Sequence, residues 1–378
     1  MSVIGALLLA GLVQSPPKVD LKVLQDQMLR VMEAEQKACG FPGATATVVL
    51  ADGRGASVAV GYREGTDPMK PDDRMLAGSI GKTFFAATML QLVEEKKIDL
   101  DTKISTWLVH EPWFNHLPNH DDITLRQLMH HQSGLPDHLE VPALMKKLLD
   151  DPNHEFTGPE LVNYVADMEP LFSAGSKFAY ADLNFILVAM IIENITHRKA
   201  YDEINRRLIG PLKLKDTLPS IHRKMPGLVQ GNSKPNPPFT TKGPVLKDGE
   251  LFINPQMEWG GGGFLSNSKD LAMWARALYS GNVLTKKMLA EYTTGVPSFR
   301  NEEYGLGCQL RQSPWGQTQG HSGWFPGYLS DMVFFPSGKF SIGIQVNTDD
   351  VRQLKGIPYR MVLLLAKEVA NDLNLKGG

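Results

Sequence analysis

Apolar residues recur along this chain in two alternating rhythms. Leu21, Leu24, Met28 and Met32 fall on one face of a helix predicted from about Val19 to Ala38. A change of period follows in A-T-A-T-V-V-L-A-D-G-R-G-A-S-V-A-V-G-Y, where two β-branched runs flank Asp52-Gly53 and predict a hairpin. Far along the chain the same period returns in Y-L-S-D-M-V-F-F. After a Pro336-Ser337-Gly338 turn, Phe340, Ile342, Ile344 and Val346 alternate with Ser341, Gly343, Gln345 and Asn347. That alternation predicts an antiparallel strand with one buried and one solvated face. A closing helix is expected from about Pro358, with Met361, Leu365 and Val369 inward.

Strands near both ends with helices between them predict an α+β fold, in which one antiparallel sheet is assembled from distant parts of the chain and flanked by helices. The stretch from roughly 82 to 218 reads as a helical insertion beside that sheet, and a site is expected in the cleft between the two layers. Residues 220–249, rich in Pro, Lys, Gly and Asn, have no period and read as a long surface excursion, either a pocket rim or an inert wrap. The apolar run L-N-F-I-L-V-A-M-I-I reads as a core helix, since Asn184 interrupts it.

The N-terminal run from Val3 to Val13, followed by Gln14 and Ser15, has the form of a secretory signal over residues 1–15, although the first cation is Lys18. On that reading the protein is secreted or periplasmic and residues 16–378 form one catalytic domain. The run is too short to span a bilayer.

Over 378 residues the net charge is −2, which provides no basic footprint for nucleic acid and no polybasic patch for an anionic membrane. A small-molecule or peptide substrate is the expected partner; the oligomeric state is not readable. Cys39 and Cys308 are the only cysteines, so a disulfide framework or cysteine metal cluster is excluded, while a single bond between the two is left open. His130 and His131 invite a metal reading with His116, His120 and His138. Adjacent histidines cannot share a helical face, however, and His131 reads instead as a hydrogen bonder at a helix end.

The candidate chemistry begins in L-A-G-S-I-G-K-T-F-F-A-A-T-M-L. One helical turn places the Ser79 hydroxyl and the Lys82 amine on the same face, a nucleophile beside a possible base. The same spacing occurs at Ser15–Lys18 and Ser266–Lys269. Ser15 lies next to two prolines, and F-L-S-N-S-K-D-L reads as a helix cap. Ser79 opens a helix in which Phe85, Met89, Leu92 and Val93 recur, so an anionic intermediate there would be favoured by the helix N-terminus. Two later stretches complete the pattern. P-L-F-S-A-G-S-K-F-A-Y-A-D-L-N-F carries Tyr180 and Asp182 just before the core helix; G-H-S-G-W-F-P-G-Y-L-S-D carries His321, Ser322, Gly323 and Trp324 at a strand entry.

Together these segments resemble the serine β-lactamase and penicillin-recognising superfamily, whose mark is S-x-x-K with a second and third short motif. The likeness is greatest to the class C β-lactamase, D,D-peptidase and esterase branch, in which the second motif starts with Tyr. I-T-L-R-Q-L-M-H-H-Q-S-G-L-P-D-H, I-G-P-L-K-L-K-D-T and G-G-G-G-F-L-S-N-S-K-D-L resemble that branch's connecting segments, in order. The resemblance implies a β-lactamase/transpeptidase-like fold and an acyl-enzyme mechanism with neither metal nor cofactor. Ser79 would be the nucleophile, and Lys82 and Tyr180 the proton-handling groups, with the working base undecided. The backbone N–H groups of Ser79 and Trp324 would bind the oxyanion.

At two positions the chain departs from β-lactam-hydrolysing members, which usually carry Asn where Asp182 stands and Lys where His321 stands. Ionised Asp182 only accepts hydrogen bonds and would hold Lys82 as an ammonium. His321, mostly neutral at pH 7, is a weaker anchor for a substrate carboxylate, but is expected to donate a hydrogen bond to substrate or to Tyr180. Asp182, His321, Ser322 and Gly323 are the expected substrate-binding residues. An esterase or D-amino-acid-type peptidase or amidase is therefore expected ahead of a β-lactamase or D,D-carboxypeptidase. An acyltransferase and a non-catalytic scaffold relative are the other readings.

Overall fold

The structure is a computed structural model and describes residues 19–235, 239, 241–299 and 302–377; the leader predicted over residues 1–15 lies outside the described residues. The first helix, α1 (Leu21–Cys39), starts where the Asp20 carboxylate accepts the Lys22 N–H at 2.9 Å and stops at Gly40, whose φ of 70° a glycine adopts without a Cβ penalty. Leu24, Met28 and Met32 are its buried stripe.

The hairpin expected at Asp52-Gly53 is β1 (Gly43–Val49) with β2 (Gly55–Glu64), followed by the short β3 (Asp67–Pro68). From the other end of the chain come β4 (Val296–Pro297), β5 (Glu303–Tyr304), β6 (Gln309–Ser313), β7 (Gly316–Phe325), β8 (Tyr328–Phe335) and β9 (Phe340–Val346). Among the described residues these nine strands form one sheet in the order β4-β5-β6-β7-β8-β9-β1-β2-β3, antiparallel throughout. The two termini meet at β1 and β9, where Ala44 opposes Val346 and Val48 opposes Ile342.

One expectation fails in β9. Its polar positions are buried together with its apolar ones, because the sheet is covered on both faces. On one face α1 packs with the closing helix, Tyr359–Asp372, over Val58, Ile342 and Ile344. On the other lies helix Ser268–Tyr279, and there the small and polar residues of β9 are fitted to helix backbone. Ser341 Oγ donates to Ala272 O at 2.7 Å, and a Cβ on Gly343 would lie 2.3 Å from Ser268 O. The strand keeps its period of two, and what faces its polar half is helix, not water.

Between the strand groups run the helices that frame the site. Lys82–Glu94, which follows a single 3₁₀ turn at Gly78–Gly81, is buried from Lys82 through Leu90. Phe84 stacks on Trp274 with ring centroids 4.3 Å apart, and the Trp274 indole N–H donates to Thr83 Oγ1 at 2.7 Å. Leu183–Thr196 is the apolar core helix expected from the sequence; Asn184 inside it is buried and bonded. The aperiodic segment 220–249 is partly internal: Val229 and Val245 are buried, and Phe239 packs on Trp324 with centroids 5.6 Å apart.

Candidate active site

Ser79 sits in the tight turn that delivers the chain into the buried helix, and the turn is shaped by close backbone approach. Gly78 has φ +53°, and a Cβ there would lie 2.6 Å from both N and O of Trp324. A Cβ on Gly81 would lie 1.7 Å from Gly262 O, and one on Gly323 would lie 1.9 Å from Ala77 O. The Gly260–Gly263 run is thus the floor against which the Ser79 turn rests, and Gly323 lets β7 pass directly over it.

Residues of the first and second motifs are brought together here. Lys82 Nζ lies 3.0 Å from Ser79 Oγ and 2.5 Å from Asp182 Oδ1, and it also donates to Gly261 O. Its three protons are therefore all engaged as an ammonium. Lys82 is fully buried, which pulls its pKa down, but the Asp182 carboxylate and Tyr180 outweigh burial and the net shift is upward. Burial pushes Asp182 up, as does Asp137, whose carboxylate accepts the Asp182 N–H at 3.1 Å, while Lys82 opposes them.

The Tyr180 ring packs against this pair, its centroid 4.7 Å from Lys82 Nζ. Its hydroxyl oxygen is buried and meets no partner in hydrogen-bond geometry among the described residues. Burial raises the phenol to about 12, against the pull of the Lys82 charge.

On the facing strand, the Ser322 N–H donates to Gln309 Oε1 at 3.0 Å and so leaves β7 by the edge away from β8. Alternate residues of a strand turn their N–H groups to the same edge, so the Trp324 N–H points there too, at the Ser79 turn. The Ser322 hydroxyl accepts from Gln309 Nε2 at 3.0 Å, which leaves its own proton free to donate.

His321 does not make the bonds expected of it. It is 1% exposed, and both ring nitrogens are occupied within the protein: Nδ1 lies 2.6 Å from Ser322 O and Nε2 lies 2.9 Å from Tyr304 Oη. Burial, helped by the Lys82 charge, pushes it down to about 3, so it is uncharged at neutral pH. Asp182 likewise faces Lys82 and the Gly261 backbone and is not on the wall of the cavity at Ser79. That cavity, about 320 Å³, is lined by Ser79, Tyr180, His321, Ser322, Gly323 and Trp324, by Gln309, and by Phe299, Leu329, Val351, Ile357 and Pro358. A larger one of about 680 Å³ opens beside Met190, Tyr201 and Trp259 and contains none of the expected site residues, so Trp259 belongs to it rather than to the Ser79 cavity.

Two contributors had no signal in the sequence. Tyr304 and Gln309 act through contacts that only the closed sheet creates, and no local motif surrounds them, whereas Gly261 belongs to the G-G-G-G segment already singled out. The histidines weighed as metal ligands are separately employed: His116 pairs with Asp167, His130 Nδ1 lies 3.1 Å from Tyr304 O, and His138 bonds Met257 O. Cys39 and Cys308 are both free thiols.

The beta-lactamase family profile matches residues 28–365, most of the chain. The chain belongs to the beta-lactamase family. Among solved structures it is similar to a D-stereospecific amidohydrolase from Streptomyces, 31% identical, with 88% of this chain and 97% of that one aligned at a TM-score of 0.76. It shares its fold with the D-amino acid amidase of Ochrobactrum anthropi, 22% identical, with 92% and 99% covered and a TM-score of 0.79. Among curated proteins, an N-acetylmuramyl-L-alanine amidase of Bacillus subtilis is 25% identical over 365 residues, covering 83% of this chain and 81% of that protein. Penicillin-binding protein 4* of the same organism is 24% identical, and this beta-lactamase family member spans 61% of its length. The family and these neighbours are serine beta-lactamase-fold hydrolases and their homologues.

Proposed function

We propose that this protein is an acyl-enzyme hydrolase in which Ser79 attacks the carbonyl of an amide or ester whose acyl part is apolar and carries no essential carboxylate, with amides and short peptides of D-amino acids as the leading substrates. The observation that carries this reading is the wall of the Ser79 cavity. Phe299, Trp324, Leu329, Val351, Ile357 and Pro358 supply apolar surface, and among its described lining residues there is no Lys or Arg. His321, at the position where a cation would hold a penicillin or peptide carboxylate, is uncharged and fully bonded. The likeness to the Streptomyces amidohydrolase favours D-residues within that class.

In the proposed reaction Lys82 remains an ammonium and Tyr180 handles the proton. The Lys82 charge favours the phenolate of Tyr180, which takes the Ser79 proton as Oγ bonds to the carbonyl carbon. The oxyanion is received by the N–H groups of Ser79 and Trp324. Tyr180 then returns the proton to the leaving amine or alcohol, and water repeats the sequence to release the acid. Because the phenol is held up at about 12, turnover should rise with pH through the neutral range.

The test is to incubate the protein with D- and L-phenylalanine amide, a p-nitrophenyl ester, a fluorophosphonate and a fluorescent penicillin. Adducts are located by peptide mass, with Ser79→Ala as the control. D-amide or ester turnover with a Ser79 adduct supports the proposal. Stable labelling by penicillin restores the penicillin-binding reading, its rapid hydrolysis restores β-lactamase, and a folded protein that no reagent labels at Ser79 restores the scaffold.

A further inference from the structure

A directional chain of hydrogen bonds runs behind Tyr180, and its two ends are backbone groups whose donor or acceptor character cannot change. At one end the Ala181 N–H points at His131 Nδ1 at 3.2 Å, and Asn184 Nδ2 reaches the same nitrogen at 3.0 Å. The Asn184 amide is oriented by the Ser133 hydroxyl, which donates to its Oδ1 at 2.6 Å. His131 Nδ1 is therefore an acceptor, and its proton must be on Nε2. Nε2 lies 3.3 Å from Tyr304 Oη, which accepts that proton and has its own to give. Tyr304 Oη lies 2.9 Å from His321 Nε2, which must accept it. At the far end His321 Nδ1–H donates to Ser322 O at 2.6 Å. No link can reverse without setting two donors or two acceptors face to face in a buried site.

We propose that Tyr304 is a positioning residue for the candidate reaction, joining His131 and His321, whose opposite neutral tautomers the chain ends fix, so that Tyr180 is clamped in place and His321 is barred from acting as a cation. His131 grips the Tyr180 segment on both sides, since its carbonyl accepts the Ala179 N–H at 2.9 Å while its ring accepts the Ala181 N–H. The His131 ring also stacks on the Tyr180 ring, centroids 4.2 Å apart at 29°, and the Tyr304 ring meets Tyr180 edge-on at 86°. A proton added to His321 Nε2 would face the Tyr304 hydroxyl proton, which has nowhere to turn because His131 Nε2 already donates. The kinetic part of this inference rests on the Ser79 acyl-enzyme reading; the tautomers do not.

The experiment is two-bond ¹H–¹⁵N spectroscopy of ¹⁵N-histidine-labelled protein, with His131 and His321 identified by loss of their peaks in His131→Asn and His321→Asn. The expected result is His131 protonated on Nε2 and His321 on Nδ1, both neutral at pH 6–8. In Tyr304→Phe, which keeps the ring, the backbone partners still fix both tautomers, but His321 Nε2 loses the donor that bars a second proton, so His321 should take up that proton at a pH at least one unit higher than in the wild type. On the best substrate kcat should then fall by about tenfold with KM within about twofold. The reverse tautomers, a protonated His321 in the wild type, or a folded Tyr304→Phe with unaltered His321 titration and kcat would overturn the proposal. Should no substrate be turned over, the tautomers still decide the hydrogen-bond chain, and only the proposed function falls. If Tyr304→Phe does not fold, the wild-type tautomers decide alone.

Discussion

Asp182 illustrates how much one atom type changes a site. Its carboxylate holds Lys82 as an ammonium and raises Tyr180, so it sets the pH at which the basic group becomes available. Removing the anion lowers both pKa values. Asp182→Asn should therefore shift the acidic limb of the kcat/KM profile to lower pH by at least one unit, and an unmoved limb would refute the coupling. His321 gives a second prediction with a defined sign. Its folded pKa of about 3 lies below the unfolded value near 6.5, so between those limits the unfolded chain binds more protons and stability falls as pH falls. Glu258, raised to about 8 by burial and the Asp182 charge, acts oppositely, its contribution lessening as pH rises from about 4.5 to 8. Comparing urea unfolding of wild type with His321→Asn cancels Glu258. Below about pH 6 the wild type should lose about 1.4 kcal/mol per pH unit relative to the variant.

At the scale of elements, the Ser79 turn shows why glycine is required where two backbones cross. Gly78 and Gly65 share nearly the same left-handed φ, +53° and +54°, but an added Cβ meets Trp324 backbone at Gly78 and nothing within 4 Å at Gly65. Gly65→Ala should cost only the backbone term, about 1 kcal/mol. Gly78→Ala should cost at least about 2 kcal/mol more and abolish Ser79 acylation, because it prises the turn from the strand that carries Trp324, whose N–H is the proposed second oxyanion donor. Thermal melts and fluorophosphonate labelling of the two variants check this, and equal costs would show that the crossing is not tight. The elements themselves were legible locally: α1 from its four-residue apolar stripe, the β1–β2 hairpin from Asp52-Gly53. The solvated face expected for β9 was not, since Ser341 and Gly343 are polar or small to fit helix Ser268–Tyr279, a partner about seventy residues away.

Across the whole molecule, the sheet joins β1 to β9 and carries β7 past the start of a buried helix, so Ser79, Tyr180 and Trp324 converge although they are separated by about a hundred residues or more. The resulting cavity is apolar, with no Lys or Arg among its described lining residues, and its rim includes the exposed Phe299, Val351 and Ile357. Placing a cation there should alter selectivity. Ile357→Lys is expected to improve kcat/KM for a carboxylate-bearing substrate relative to its neutral amide by about tenfold at low salt, and a ratio unchanged across salt concentrations would show that the rim does not meet the substrate.

The sequence by itself determined the groups whose chemistry is local: the Ser79–Lys82 spacing, the Tyr180 and His321 segments, the strand and helix periods, and with them the family. Each rests on residues within a few positions of one another, where backbone geometry dictates who is neighbour to whom. The sequence already implied a Lys82 ammonium beside Asp182 and a mostly neutral His321, but only the tertiary structure decided which partners hold them in those states. Lys82 is an ammonium because Asp182 and Gly261 reach it from elsewhere in the chain; His321 is neutral and turned inward because Tyr304 and burial hold it so. Protonation and hydrogen-bond direction depend on desolvation and on partners brought from distant positions, and neither quantity is written in local spacing.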